Sequence, residues 1–287
     1  MGLKEELERA KCYALETINK DELVKLNFEN VAKIEAIIKI DSRYRNAGDI
    51  EKAPDDEYIK FIKNDTEYTP KRGANGGSGA YWINKLVEII KNNKKESTDG
   101  YTIAQVIKGI VCMLDKENST HLNSTKSTNS KIKLEKKGRK NVTEIITEMV
   151  NKKEIEELLK NPKSNNYEII NKIANGKNEP DEKTYYSFAT KFCHYVCLQM
   201  FRDKEEEDNF SSYDKYVSAN LSKYYKHYVG KEMEKLKRPQ NNFGEEYKRY
   251  IGIIDEIREA AKVKEEEKIK ISRNGIDHLL WYFHKGE

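Results

Sequence analysis

Three short patterns in the C-terminal half set side chains of chemical use on predicted helix faces. Phe188 and Lys191 are three residues apart, and Asp277 and Trp281 are four apart. Either spacing puts both members of a pair on one face of an α-helix. Each face then carries one flat ring beside one ionisable group, and two such faces could converge on one slot. Between the pairs, Ser211-Ser212-Tyr213-Asp214-Lys215-Tyr216-Val217 places Asp214 where another helix opens. A fixed carboxylate can stabilise positive charge developing on a substrate. A lysine amine, once neutral, can attack an electrophilic carbon.

The elements that must position these groups are helical. Apolar residues recur at helical spacing over 142–150, 152–160, 166–175, 183–202, 212–229, 243–266 and 274–284. Residues 175–181 (Asn-Gly-Lys-Asn-Glu-Pro-Asp) read as a turn between two of these helices. The order is helix, hairpin, lysine-bearing helix, polar loop, and aspartate at a helix start.

That order, carried by Phe188-Ala189-Thr190-Lys191, Tyr213-Asp214-Lys215-Tyr216-Val217 and Asp277-His278-Leu279-Leu280-Trp281, resembles the helix-hairpin-helix DNA glycosylase superfamily. Within it, the chain is most similar to the archaeal 8-oxoguanine DNA glycosylase-like branch. The resemblance covers roughly residues 160–285. It implies an all-α fold of two helical subdomains, with a helix-hairpin-helix element and a cleft between them. The implied partner is double-stranded DNA with an extruded base, bound by a monomer without metal or other cofactor. Gly176 and Lys177 of the hairpin would hold a backbone phosphate. Phe188 and Trp281 would sandwich the base while Lys191 and Asp277 meet its polar edge. Asp214 would stabilise the sugar cation. The hairpin departs from the family by lacking its Gly-x-Gly signature. The family's nucleophilic position falls on Thr184, with Lys183 one residue earlier. Two mechanisms therefore stay open: attack by Lys183 or Lys191 with strand cleavage, or aspartate-assisted attack by water.

The implied activity is excision of a damaged or modified purine, 8-oxoguanine being the first to try. One alternative keeps this chemistry but directs it at the modified bases of phage DNA. Another is a non-catalytic DNA-binding module on a glycosylase scaffold. Each motif also has an ordinary structural reading. Asp214 could serve only the helix dipole, and Phe188 and Trp281 could be core aromatics. Trp82 could stack on a base or pack in a core. Tyr224, Tyr225 and Tyr228, interleaved with Lys223, Lys226 and His227, suit either a DNA-facing helix or an amphipathic one with buried tyrosines.

The rest of the chain divides by composition. Helical spacing covers 4–19, follows Asn27 as N-cap through Val31, Ile34, Ile37 and Ile38, and returns over 80–93 and 102–114. Residues 43–78 read as irregular and end in a glycine-rich loop without the lysine of a P-loop. Residues 116–130 are polar and low in complexity, and a basic cluster follows to 141. The expected regions are a helical one at 1–115, a loop at 116–141 and the glycosylase-like region at 142–287. The 287 residues are 37% apolar and 36% charged, with a net charge of +4, which permits but does not demand a nucleic-acid partner. No run reaches the ~18–20 apolar residues of a membrane span. The charged helical start (Met1-Gly2-Leu3-Lys4-Glu5-Glu6) is unlike a signal peptide, so a cytoplasmic location is expected. Cys12, Cys112, Cys193 and Cys197 form no zinc pattern and read as buried thiols. The acidic run 203–208 reads as a solvated loop.

Overall fold

The computed structural model describes residues 23–40, 53–63, 75–118, 142–176, 184–234, 236–237 and 239–285. In chain order the α-helices are α1 (Phe28–Ile40), α2 (Asp56–Lys63), α3 (Gly79–Lys91), α4 (Ile103–Asn118), α5 (142–151), α6 (Ile155–Lys160), α7 (Glu168–Ala174), α8 (Tyr186–Met200), α9 (Lys215–Val229), α10 (Phe243–Lys264) and α11 (Arg273–Lys285). Among the described residues, strand-like pairing is confined to one isolated bridge between Glu96 and Thr102. The chain is therefore predominantly helical, as its periodicity predicts. The expected helix at 4–19, most of the expected loop at 116–141, and Lys177, Lys183 and Cys12 lie outside the described residues.

The chain folds into two compact units. One joins Met1–Arg45, Phe210–Pro239 and Glu246–Glu287, and the other joins Asn46–Asn209 to Gln240–Glu245. These units cut across the three consecutive regions that composition suggests. Composition changes along the chain, whereas compactness depends on which distant segments touch.

In the unit built on 46–209, α3 packs on α4, and α8 packs on α3, α4 and α7. Twelve of the fifteen residues of α8 are buried, so this helix is a central one. Trp82 of α3 is fully buried and meets Tyr81 and Tyr101 edge-on at 5.2 Å each. Its indole N–H donates to the Gly76 carbonyl at 2.8 Å. Gly109 of α4 makes room for that ring: a Cβ there would lie 2.4 Å from it. Helix α2 corrects the expectation of irregular chain over 43–78. Asp55, just after Pro54, caps it by accepting from the Tyr58 amide at 2.9 Å. Tyr58 and Ile62, four apart, give it a buried face. The acidic run is also more ordered than a loop, forming a 3₁₀ turn over Glu205–Asp208 with no buried residue.

In the other unit α11 packs on α1 and α9. Asn27 caps α1 as expected, accepting from the Asn30 amide at 2.9 Å. The extended residues before it are held by α9: the Val24 and Leu26 amides donate to the Tyr224 and Tyr228 hydroxyls at 3.2 and 2.9 Å. The buried tyrosine reading of α9 is thus the one that applies at these two positions.

Candidate functional site

Asp214 is the N-cap of α9. Its backbone is extended (φ −110°, ψ 146°), and its Oδ1 accepts from the Tyr216 amide at 2.7 Å. The cap fixes the side-chain torsion and sets the carboxylate against the positive end of the helix dipole. The segment leading into it is held as well. The Ser211 amide donates to the Tyr247 hydroxyl at 2.8 Å, which in turn donates to the Ser211 carbonyl at 2.6 Å. The Tyr250 hydroxyl donates to the Ser212 carbonyl at 2.8 Å.

Asp277 lies one turn into α11 and is buried at 7% exposure, with Trp281 half-buried one turn further on. Between them, His278 Nδ1 lies 2.6 Å from Glu35 Oε1 of α1. Behind this helix start, Asp255 of α10 takes both arms of Arg273, Nε at 2.8 Å and one terminal nitrogen at 2.6 Å, and a terminal nitrogen of Arg258 at 3.0 Å. Arg258 Nε also donates to the Ile271 carbonyl at 2.7 Å. Burial pushes the Asp255 carboxyl up, but Arg273 and then Arg258 outweigh it and hold the group below the ordinary carboxylate range.

In the unit built on 46–209, Lys191 lies inside α8 at 7% exposure. Phe188, one turn earlier, is fully buried and stacks on Phe192 with centroids 6.1 Å apart. Neither Phe188 nor Trp82 shows a free ring face in this conformation, which is the arrangement of core aromatics. Gly176 is buried, and its amide donates to the Ile173 carbonyl at 3.1 Å. A Cβ at Gly176 would meet Ile145 at 2.5 Å, so close packing explains the glycine. The Tyr185 amide donates to the Ala174 carbonyl at 3.1 Å, so α8 opens beside the end of α7. Lys223 and Lys226 of α9 are exposed, and Lys226 pairs with Glu232 at 2.5 Å.

The expected site residues thus fall in both units. Asp214, Asp277, Trp281, Lys223 and Lys226 belong to one, and Trp82, Gly176, Phe188 and Lys191 to the other. Sequence reasoning missed Tyr247, Tyr250 and the Asp255 cluster. The i, i+3 spacing of Tyr247 and Tyr250 was a visible signal, since it puts both rings on one face of α10.

Cys112, Cys193 and Cys197 are buried and form no disulfide, and burial raises the Cys193 and Cys197 thiols well above their ordinary value. Among the described residues no group of three or more His, Cys, Asp or Glu side chains could hold a metal ion. No helix among them is long and apolar enough to cross a membrane. Compared with protein-family models, with curated proteins and with solved structures, the chain has no match.

Proposed function

We propose that the protein is a DNA N-glycosylase that extrudes a damaged or modified purine and cleaves its bond to the sugar. The reading includes the helix-hairpin-helix element and the cleft that the motif resemblance implies. The observation that carries it is Asp214, a carboxylate held by a helix cap at the start of α9. Breaking an N-glycosidic bond builds positive charge on the sugar, and a fixed negative group beside that charge lowers the barrier. Lys191, buried within α8, is the amine that the lysine version of the mechanism would use. Extrusion costs a few kcal/mol, and stacking on a ring returns about 1–3 kcal/mol. Trp281, half-buried, is the ring best disposed to supply that stacking.

The test uses duplexes with defined lesions, 8-oxoguanine first, followed by alkaline cleavage. Asp214→Asn is the informative variant, because asparagine caps a helix about as well as aspartate. The expected result is excision by the wild type and its loss in Asp214→Asn at unchanged stability. Absence of excision across the lesion panel overturns the reading. Borohydride trapping separates the two mechanisms: an adduct absent in Lys183→Ala or in Lys191→Ala identifies the attacking amine. Comparing phage DNA with host DNA tests the defence version of the same chemistry.

The complete burial of Phe188 and Trp82 favours a second reading, a helical DNA-binding module without catalysis. Salt-dependent DNA binding that ignores the lesion supports that alternative.

A further inference from the structure

We infer that Tyr247 and Tyr250 are positioning residues that fix the Asp214 carboxylate through the backbone of Ser211 and Ser212. The inference rests on the excision reading above for its functional part. Residues 210–214 are neither helix nor strand, and Phe210, Ser211, Ser212 and Tyr213 are buried. Such backbone needs hydrogen-bond partners from elsewhere. Both partners here come from one face of α10. Tyr247 satisfies the amide and the carbonyl of Ser211 with a single hydroxyl, and Tyr250 takes the Ser212 carbonyl.

The rings that carry these hydroxyls cannot readily shift. Tyr247 stacks on Phe210 with centroids 5.9 Å apart, Tyr250 meets Tyr213 edge-on at 5.2 Å, and the two tyrosines lie 5.9 Å from each other. The residues flanking the two serines are thus packed against the same rings that hold their backbone. Downstream, Asp214 is tied to the Tyr216 amide by its own carboxylate. The aspartate is held from α10 on one side and from α9 on the other. A carboxylate that must face a short-lived sugar cation gains most from such fixing, because small misplacements in an active site cost large factors in rate.

The experiment compares Tyr247→Phe and Tyr250→Phe, which remove only the hydroxyls, with Tyr224→Phe. Tyr224 is an equally buried tyrosine of α9 whose hydroxyl receives the Val24 amide. The first measurement is amide exchange at Tyr216, the donor to Asp214. Faster exchange is expected in both α10 variants and not in Tyr224→Phe. Unchanged exchange at Tyr216 overturns the inference whatever the activity. The second measurement is single-turnover excision from an 8-oxoguanine duplex, with DNA affinity measured alongside. The expected result for Tyr247→Phe is a fall of about tenfold or more in the excision rate at unchanged affinity. Excision at the wild-type rate overturns the positioning role while leaving the glycosylase reading intact. If the wild type excises nothing and Tyr216 still exchanges faster, the glycosylase reading fails and the structural hold on Asp214 stands.

Discussion

Asp255 shows how one carboxylate can organise a helix junction. It faces Arg258 from its own helix and Arg273 from the start of α11, and both arginines are buried. Asp255→Asn removes the negative charge that both arginines share and should cost about 1.5–3 kcal/mol in urea unfolding, the range of a hydrogen bond to a charged group. The same group gives a pH dependence. Its folded-state pKa is lowered, so its contribution is complete above the unfolded carboxylate value of about 4 and is lost as pH falls through the lower folded value. An acid titration of the wild type should therefore lose stability in that window, and the corresponding loss should be smaller in Asp255→Asn. Tyr228 acts at the other end of the scale. Burial, and behind it the charge of Glu265, raises its phenol, while the Leu26 amide pulls the other way. The raised folded value means that its contribution is complete below the unfolded tyrosine pKa of about 10 and is lost as pH rises beyond it. Tyr228→Phe should flatten the alkaline part of the stability curve.

Among the elements, α1, α3 and α9 show how caps and close packing decide where a helix starts and how near its neighbour lies. Asn27→Ala removes the acceptor of the Asn30 amide and should cost about 1 kcal/mol in chemical denaturation. Gly109→Ala forces a methyl group into the Trp82 indole across the α3–α4 contact. The neighbours of the indole are themselves packed, so overpacking should cost about 1–3 kcal/mol. Near-ultraviolet circular dichroism of the Trp82 environment would report the shift. Asp214→Ala, unlike Asp214→Asn, should lose about 0.5–2 kcal/mol with the α9 cap. That pair of variants separates the structural part of Asp214 from any chemical part.

At the scale of the whole molecule, the boundary between the compact units falls within α10, after Glu245. Phe243, in the first turn of that helix, is fully buried and packs against Tyr186 of α8 at 5.7 Å. Gly244 follows it so closely that a Cβ would lie 2.4 Å from the Asn166 carbonyl. A helix that mostly serves one unit therefore supplies core to the other. Phe243→Ala should destabilise the unit built on 46–209 by about 3–5 kcal/mol. Native-state amide exchange should register the loss in α8 more than in α9.

The sequence alone determined the elements and the faces of their side chains. The periods of α3, α4, α8, α9, α10 and α11, the cap at Asn27, the place of Asp214 near a helix start, and the shared faces of Phe188 with Lys191 and of Asp277 with Trp281 depend on neighbours within one or two turns. Such local rules act before any distant segment arrives. Helix α2 escaped because eight residues give too short a period to stand out beside Pro54. Tertiary structure alone decided burial and partnership. It covered both faces of Phe188 and Trp82, turned Tyr224 and Tyr228 inward, and set Tyr247 on a serine 36 positions away and Tyr224 on an amide 200 positions away. A hydroxyl or a ring looks the same in the sequence whether it meets water, a base or a distant backbone. Only the closure of long loops around a shared core chooses among them.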